Sequence, residues 1–511
     1  MRNPVTIEFT RLFEYILKEF PHSLSNIVST AKQNYTKKGG ISLQAKQLCF
    51  TDIYSELDQY FQSEQPKLIN LINQFIDFDE LIPQTFINHY NKHTGHPRDY
   101  KLSSMLCALL IQKILCISEI TLLINILSLS SELRDLCGFS KVPHPSQFTR
   151  FKQDFVDDLN MLFVHLVDLT EPICKQISPY LSDILISDTT GIEPYVQENN
   201  PKFFDSLFKN YKRLFKNNPA VNAHSYTCAK MPKVAHASKE VKLSYMNGHY
   251  CYSLKCSLLT NGLGIIRHVN FMDSDLDISS FNSANEAKDQ YDSKTLIPTL
   301  KKYFSLHSNF SYKYFLGDAG FDSNDNYDYL YNVKKIIPII PINSRNTKDL
   351  PVPGFTEDGI PTCPRDSSLL MKYDGISNEQ GRATRVKWLC PKSFKTTKSG
   401  KTHYILSCDN PCTDSKCGRV IYVPVNSNVR LNSIIPRNSK KWQDLYKIRT
   451  IIERSISTIK CSMGPQNTKT YNPKTLKSEV LLCAISQQLV LILAYKMCET
   501  SRPLAMRHLV A

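Results

Sequence analysis

The sequence predicts a mixed α/β protein whose first third is all-helical. Three observations predict it. Up to about residue 175, apolar residues recur at helical spacing; from about 180, short runs of β-branched and aromatic residues bounded by Gly, Asn or Asp replace them. Between about 345 and 436 both patterns lapse among Pro, Gly, Ser, Thr and Lys, and a helical pattern then resumes. The expected organisation is therefore a helical region over 1–175, a sheet-forming region over 180–344, a cysteine-containing basic insertion over 345–436, and helices over 437–500 that return to the sheet.

In the first region, "KLSSMLCALLIQKILC" (101–116) and "ISEITLLINILSLSSELRDLCGF" (117–139) are long and free of proline, and the second ends at Gly138. Pro143 and Pro145 then break the chain, Ser146 is placed to cap, and Phe148, Phe151, Phe155, Leu159 and Leu162 follow at helical spacing. With Arg150 and Lys152 early in that helix, the arrangement suits either a helix-turn-helix-like DNA contact or a plain helical region. Strands are expected at 183–191, 249–260, 264–273, 312–321 and 336–340, the second and third joined as a hairpin by "NGLG", with a helix over 283–307. Three strands, a helix, a strand, a helix and a strand make a mixed sheet. A long helix, capped at Asn438 or Ser439 and stopped by Gly464 and Pro465, closes the pattern.

Length and composition narrow the function. With 511 residues, 42% of them hydrophobic, the chain can bury real cores, and a formal charge of +15 favours a polyanion, foremost nucleic acid. The N-terminal twenty residues have neither a continuous apolar run nor a small-residue cleavage site, so no signal peptide is expected. "VLLCAISQQLVLILAY" (480–495) is interrupted by two glutamines and falls short of the roughly 20 residues that span a bilayer. Most of the 16 cysteines sit singly in apolar runs, as buried thiols do in a reducing compartment, and the expected location is cytoplasmic, with no membrane partner. Cys390, Cys408, Cys412 and Cys417 crowd into the insertion and are candidate ligands of a structural Zn²⁺, with Cys363 as the alternate ligand and free thiols as the other reading.

Two basic tracts interleaved with aromatics suit phosphate contact and stacking. One carries Lys202, Lys209, Lys212, Arg213 and Lys216; the other carries Arg382, Arg385, Lys387, Lys392, Lys395, Lys398 and Lys401. His224, His236 and His249 are scattered and predict no ligand set, and Asp322 reads as a helix cap for "SNDNYDYL".

The chemistry is concentrated in "YKIRTIIERSISTIK" (446–460). At about 100° per residue, Tyr446, Arg449, Glu453 and Lys460 fall on one narrow stripe, while Ile448, Ile451, Ile452, Ile456 and Ile459 take the opposite arc. One reading is an ordinary surface ion pair between Arg449 and Glu453. The other needs partners, and two acids supply them: Asp188 after "ILIS" and Asp318 after "YFLG", both expected at strand ends, where ligands gather in α/β sheets. Neighbouring strands lie about 4.8 Å apart, so such carboxylates can share a metal.

Tyr446, Arg449, Glu453 and Lys460 match, at the right gaps, the Y(2)R(3)E(6)K signature of bacterial insertion-sequence transposases with the DDE triad. "SDTTGI" and "GDAGFDS" resemble that family's first and second aspartate motifs in the expected order. The resemblance implies an RNase-H-like catalytic domain carrying an insertion and preceded by a helical domain. It also implies a DNA transposase that cuts at terminal inverted repeats and transfers the strand into target DNA. Asp188, Asp318 and Glu453 would bind two Mg²⁺ or Mn²⁺ ions; Tyr446, Arg449 and Lys460, with Arg454, Lys212 and Arg213 nearby, would contact double-stranded DNA, in a homodimer that pairs two ends. A prokaryotic cytoplasm, with the protein on the nucleoid when bound to DNA, is the implied location. Two other functions fit the same residues: a catalytically idle DNA-binding regulator derived from such an element, and a metal-dependent nuclease of the same fold without strand transfer.

Overall fold

Leu102–Ile114 (α1) is apolar on nearly every side, and a helix of that kind has to be enclosed. The computed structural model, which describes residues 66–92, 97–218, 220–246, 249–272, 292–346, 352–398, 401–465 and 469–505, encloses it. The predicted helices of the first 65 residues, and the start of the 283–307 helix, lie outside the described residues. After α1 come α2 (Pro145–Asp154) and α3 (Val156–Ile177), separated by a break at Phe155. The cap of α2 differs from expectation: His144 accepts the Ser146 N–H and forms a reciprocal capping box with Gln147, while Pro145 takes the first helical position, where its missing N–H costs nothing.

The sheet region opens with β1 (Ile184–Ile192). A basic helical hairpin follows, α4 (Pro201–Leu214) and α5 (Ala223–Lys230), and then β2 (Val234–Ala235), β3 (Ser238–Met246), β4 (His249–Asn261) and β5 (Ile266–Phe271). α6 (Asp292–Leu306) crosses over to β6 (Tyr314–Leu316) and β7 (Ile337–Ile339). Neighbours in the sheet run β2-β3-β4-β1-β6-β7, with β5 also paired to β4. Within it, β4 runs antiparallel to both β5 and β1, and β6 and β7 continue parallel to β1. Three antiparallel strands followed by two parallel ones, the parallel step made by a helical crossover, is the RNase-H-like sheet that the family resemblance implies. The α4–α5 hairpin and the β2–β3 pair are additions to the predicted pattern.

Alternation along β1 builds two cores. Ile184 and Ile186 join the large core of α1, α2 and α3, whereas Leu185 joins Leu296, Leu300 and Tyr303 of α6 and Phe315 of β6 on the other face. The helical region thus shares one core with the sheet. At its centre lies α9 (Pro473–Lys496), 24 residues long, longer than the apolar stretch read from the sequence. By length and composition it would cross a membrane, but 89% of its most apolar window is buried inside the protein. Its two glutamines explain why: Gln487 accepts the Ile266 N–H at 2.7 Å and Gln488 donates to the Ile266 carbonyl at 2.7 Å, tying the helix to β5. Further along, Glu479 takes both Lys113 of α1 and Lys152 of α2, all three buried. Lys152 is therefore a core ion-pair partner and not, as its position early in the helix suggested, a DNA contact.

The insertion is not patternless. β8 (Lys372–Ser377), β9 (Arg385–Leu389) and β12 (Val420–Pro424) form one small sheet, and β10 (Ser393–Lys398) with β11 (Lys401–Leu406) a second. A small core of Ile360, Met371, Val386, Trp388, Val423 and Val425 holds the first. Asp322 and Arg430 clamp the insertion to the core through a buried two-pronged ion pair at 2.7–2.8 Å. Asp322 is thus no helix cap; Ser323 caps that helix by accepting the Asn326 N–H. The predicted long helix after the insertion is three pieces: α7 (Lys440–Ile448), capped by Ser439; α8 (Thr450–Ser457), with Arg449 at the joint; and a π-helical turn over Thr458–Ser462.

Candidate active site

The first two acids meet through strand register. β1 pairs with β6 as Ile184–Tyr314, Leu185–Phe315 and Ile186–Leu316. Carried two residues further at the same offset, that register sets Asp188 level with Asp318, and the period of two puts them on the same face. Asp188 does not end its strand, as predicted: β1 continues to Ile192 because β4 goes on pairing with it after β6 has stopped. Asp318 lies just beyond β6, where it caps a 3₁₀ turn by accepting the Gly320 N–H at 2.9 Å. A Cβ at Gly320 would stand only 2.9 Å from that carboxylate oxygen, so a side chain there would displace the Asp318 carboxylate. Asp188 accepts the Thr189 N–H at 2.8 Å.

Helix α8 is positioned from behind. Gly264, with φ +81°, turns the β4–β5 hairpin so tightly against α8 that an added Cβ would lie 2.6 Å from Ile451, and Ser455 Oγ donates to the Gly264 carbonyl at 2.6 Å. Ile452 is buried beneath. The opposite side of the joint faces the aspartates. Arg449 donates to Glu453 at 2.5 Å with Nη2 and lies 3.8 Å from Asp188 with Nη1. Its guanidinium is 5.7 Å from the centre of the Tyr446 ring, which stacks in turn on Trp442 at 4.8 Å. The Glu453 side chain is 51% exposed, so the carboxylate is open to an incoming substrate.

Lys460 and Arg454 are placed elsewhere. The π turn winds more slowly than an α-helix, so Lys460 leaves the stripe and is buried, 5% exposed, where its charge acts on Cys251 and Cys256. That position does not suit the predicted DNA contact. Arg454 lines a separate cavity of about 250 Å³ with Gly264, Ser455 and Gln487, on the side of α8 turned from Asp188.

A fourth acid joins the site, one that the sequence alone does not single out. Asp292, the first residue of α6, accepts from Thr189 Oγ1 at 2.7 Å and Lys255 Nζ at 2.9 Å, and its other oxygen lies 3.1 Å from where a Gly320 Cβ would be. An aspartate opening a helix reads as a dipole-compensating residue, and only tertiary structure brings it to the site. Burial pushes the Asp188 carboxyl up to about 7; Asp318 and Asp292 add to the rise, while the Thr189 N–H and Arg449 oppose it. Asp318 is raised too, by burial first and then by Asp292. Clustered oxygen donors that resist ionising together are short of positive charge, which is the condition a hard divalent cation relieves.

The two basic tracts differ. In the insertion, Arg382 and Arg385 pair with Glu379 at 2.8 Å each, and Lys387 and Lys395 both pair with Asp374. On α4, Lys209, Lys212 and Arg213 have no ion pair among the described residues, and the helix has no buried residue. Of the insertion cysteines, Cys363, Cys390, Cys408 and Cys412 line one cavity of about 120 Å³, while Cys417 hydrogen-bonds Ser415 at 3.0 Å.

Comparison with known proteins finds transposases. A family described as "Transposase domain (DUF772)" matches residues 55–154, and one described as "Transposase DDE domain" matches residues 226–489, a span holding Asp318 and Glu453 but beginning after Asp188. None of the curated proteins matches the chain. Among solved structures, the chain is similar to a piggyBac transposase synaptic complex with hairpin DNA, at 12% identity and a TM-score of 0.36, over 87% of this chain and 78% of that one. The DDE-domain match covers just over half of the 511 residues, and the chain belongs to the DDE transposases, divalent-metal-dependent enzymes that act on DNA.

Proposed function

We propose that Asp188, Asp318 and Glu453 are the metal-binding triad with which this transposase cuts DNA at the terminal inverted repeats of its element and joins the freed end to target DNA. The observation that carries the reading is the register that levels Asp188 with Asp318, under a helix joint where Arg449 reaches from Glu453 to Asp188. Two Mg²⁺ or Mn²⁺ ions held there would activate a water or a 3′-hydroxyl and stabilise the departing oxygen.

The chain's own residues do the rest. The Gly320 and Thr189 N–H groups hold Asp318 and Asp188 in fixed orientations, which spares reorganisation during the reaction. Arg449 presents its fork beside the acids, where it can grip a non-bridging phosphate oxygen, and Tyr446 offers a face or hydroxyl to the same nucleotide. α4, with Lys212 and Arg213, supplies backbone contacts along the duplex. The helical region ahead of β1 suits recognition of the element end, and a homodimer would pair two ends, working on the nucleoid of a prokaryotic cytoplasm. A structural Zn²⁺ on Cys390, Cys408, Cys412 and Cys417, with Cys363 as the alternate ligand, would require these side chains to close in, because among the described residues their sulfurs do not converge within ligand distance of one another.

Iron-directed cleavage tests the triad. Fe²⁺ replacing Mg²⁺, with ascorbate and peroxide, should cut the polypeptide near residues 188, 318 and 453, with excess Mg²⁺ suppressing the cuts. Cuts confined to other segments would overturn the assignment.

A further inference from the structure

The sequence separates Glu193 from His249 and Cys251, and the sheet brings them together. Glu193 follows the last residue of β1, and Ile192 pairs with Leu254 of β4, so Glu193 arrives beside the start of β4. His249 and Cys251, two residues apart on that strand, point to the same side. His249 Nε2 lies 3.5 Å from Glu193 Oε1, and one donor atom from each of the three residues lies within 4.8 Å of the others. Among the described residues this is the single such convergence of His, Cys and carboxylate groups, and it lies outside the Asp188–Asp318–Glu453 site.

We propose that Glu193, His249 and Cys251 form a second metal site of a different class, taking a thiolate-binding divalent transition metal such as Zn²⁺. The donor set decides the class. A sulfur, an imidazole nitrogen and one carboxylate suit Zn²⁺, whereas Mg²⁺ takes oxygen donors. Bond lengths of roughly 2.0–2.3 Å around a tetrahedral ion place its ligands about 3.3–3.8 Å apart, a range that holds the 3.5 Å between His249 and Glu193. A thiolate and a carboxylate neutralise a divalent ion, and the buried Lys460, whose charge also reaches Cys251, adds one positive charge beside the site and favours the thiolate form. As the metal–sulfur bond forms, the thiol proton leaves to solvent. Three protein ligands leave a fourth position for water, and the bound ion would pin the end of β1 to the start of the β4 strand.

Cobalt substitution tests the proposal. The full chain carrying Cys408→Ser and Cys412→Ser, which removes two of the five insertion cysteines and breaks that candidate ligand set, is stripped with chelator and titrated with Co²⁺. One equivalent should develop a near-ultraviolet thiolate-to-cobalt charge-transfer band that Zn²⁺ abolishes and excess Mg²⁺ does not. Adding Cys251→Ser should remove the band. His249→Gln, at an exposed position that folding tolerates, should weaken Co²⁺ binding by at least tenfold. No thiolate band in the Cys408→Ser/Cys412→Ser chain, or a band unchanged by His249→Gln, would reduce the cluster to an ordinary histidine–carboxylate pair and overturn the proposal.

Discussion

Asp188 on β1 and Asp318, two residues past the end of the adjacent parallel strand β6, are brought level by the three backbone pairings that precede them. Because the sheet, and not side-chain packing, sets their spacing, replacing either carboxylate should leave the fold intact. Asp188→Asn and Asp318→Asn should each slow strand cleavage more than ~100-fold, beyond the 10–100-fold that removal of a supporting partner produces. Affinity for the DNA end should change less than about threefold, as a mobility-shift titration would show.

Asp292 supports the site from the side. It holds Thr189, the neighbour of Asp188, and Lys255 of β4. Asp292→Asn should lower the cleavage rate by about 10–100-fold and raise the Mg²⁺ concentration required, an effect intermediate between the triad variants and wild type. A rate curve against Mg²⁺ separates the two effects.

Glu479 should matter for stability alone. Burial would push its carboxyl up, but Lys113 and Lys152 outweigh that and bring it down to about 2. A carboxyl that titrates lower in the folded chain than in the unfolded one stabilises above the ordinary value of about 4.3, and this contribution drains away as pH falls toward about 2. Glu479→Gln leaves two buried lysines without a counter-charge and should cost about 3–5 kcal/mol at pH 7. Chemical denaturation between pH 7 and pH 3 should show the gap between wild type and variant closing as the pH drops.

DNA binding should depend on α4 more than on the insertion. Replacing Lys209, Lys212 and Arg213 together by Ala should flatten the dependence of log affinity on log salt by ~2.7, about 0.9 for each phosphate that the protein no longer neutralises. Arg382→Ala and Arg385→Ala remove residues already engaged by Glu379 and should change that slope by less than about 1.

The five principal strands are legible because each is a short apolar run with its own turn residues, and hydrophobic alternation survives in a single sequence; their order in the sheet comes from the pairing alone. The acids are legible because their neighbours are distinctive. Asp292 is not, since an aspartate at a helix start has a sufficient local explanation. Lys460 follows the helical stripe on paper, but the π turn that diverts it is a local unwinding that residue spacing does not encode. The strands of the insertion are hidden because β10 and β11 are short and rich in Lys and Thr, with little apolar alternation to mark them. His249 looks scattered along the chain because Glu193 and Cys251 reach it only through strand pairing.

Glu453 offers the most direct test. Its side chain is half exposed and its only described partner is Arg449, so Glu453→Gln removes a surface ion pair worth a few tenths of a kcal/mol and should leave folding unchanged. Wild-type and variant protein are incubated with labelled DNA carrying the element's ends and Mg²⁺, and cleavage and joining are followed on a gel. If Glu453 completes the triad, the variant binds the ends as wild type does, while cleavage and joining both fall below detection. Cleavage by Glu453→Gln at a rate within about tenfold of wild type would refute that role.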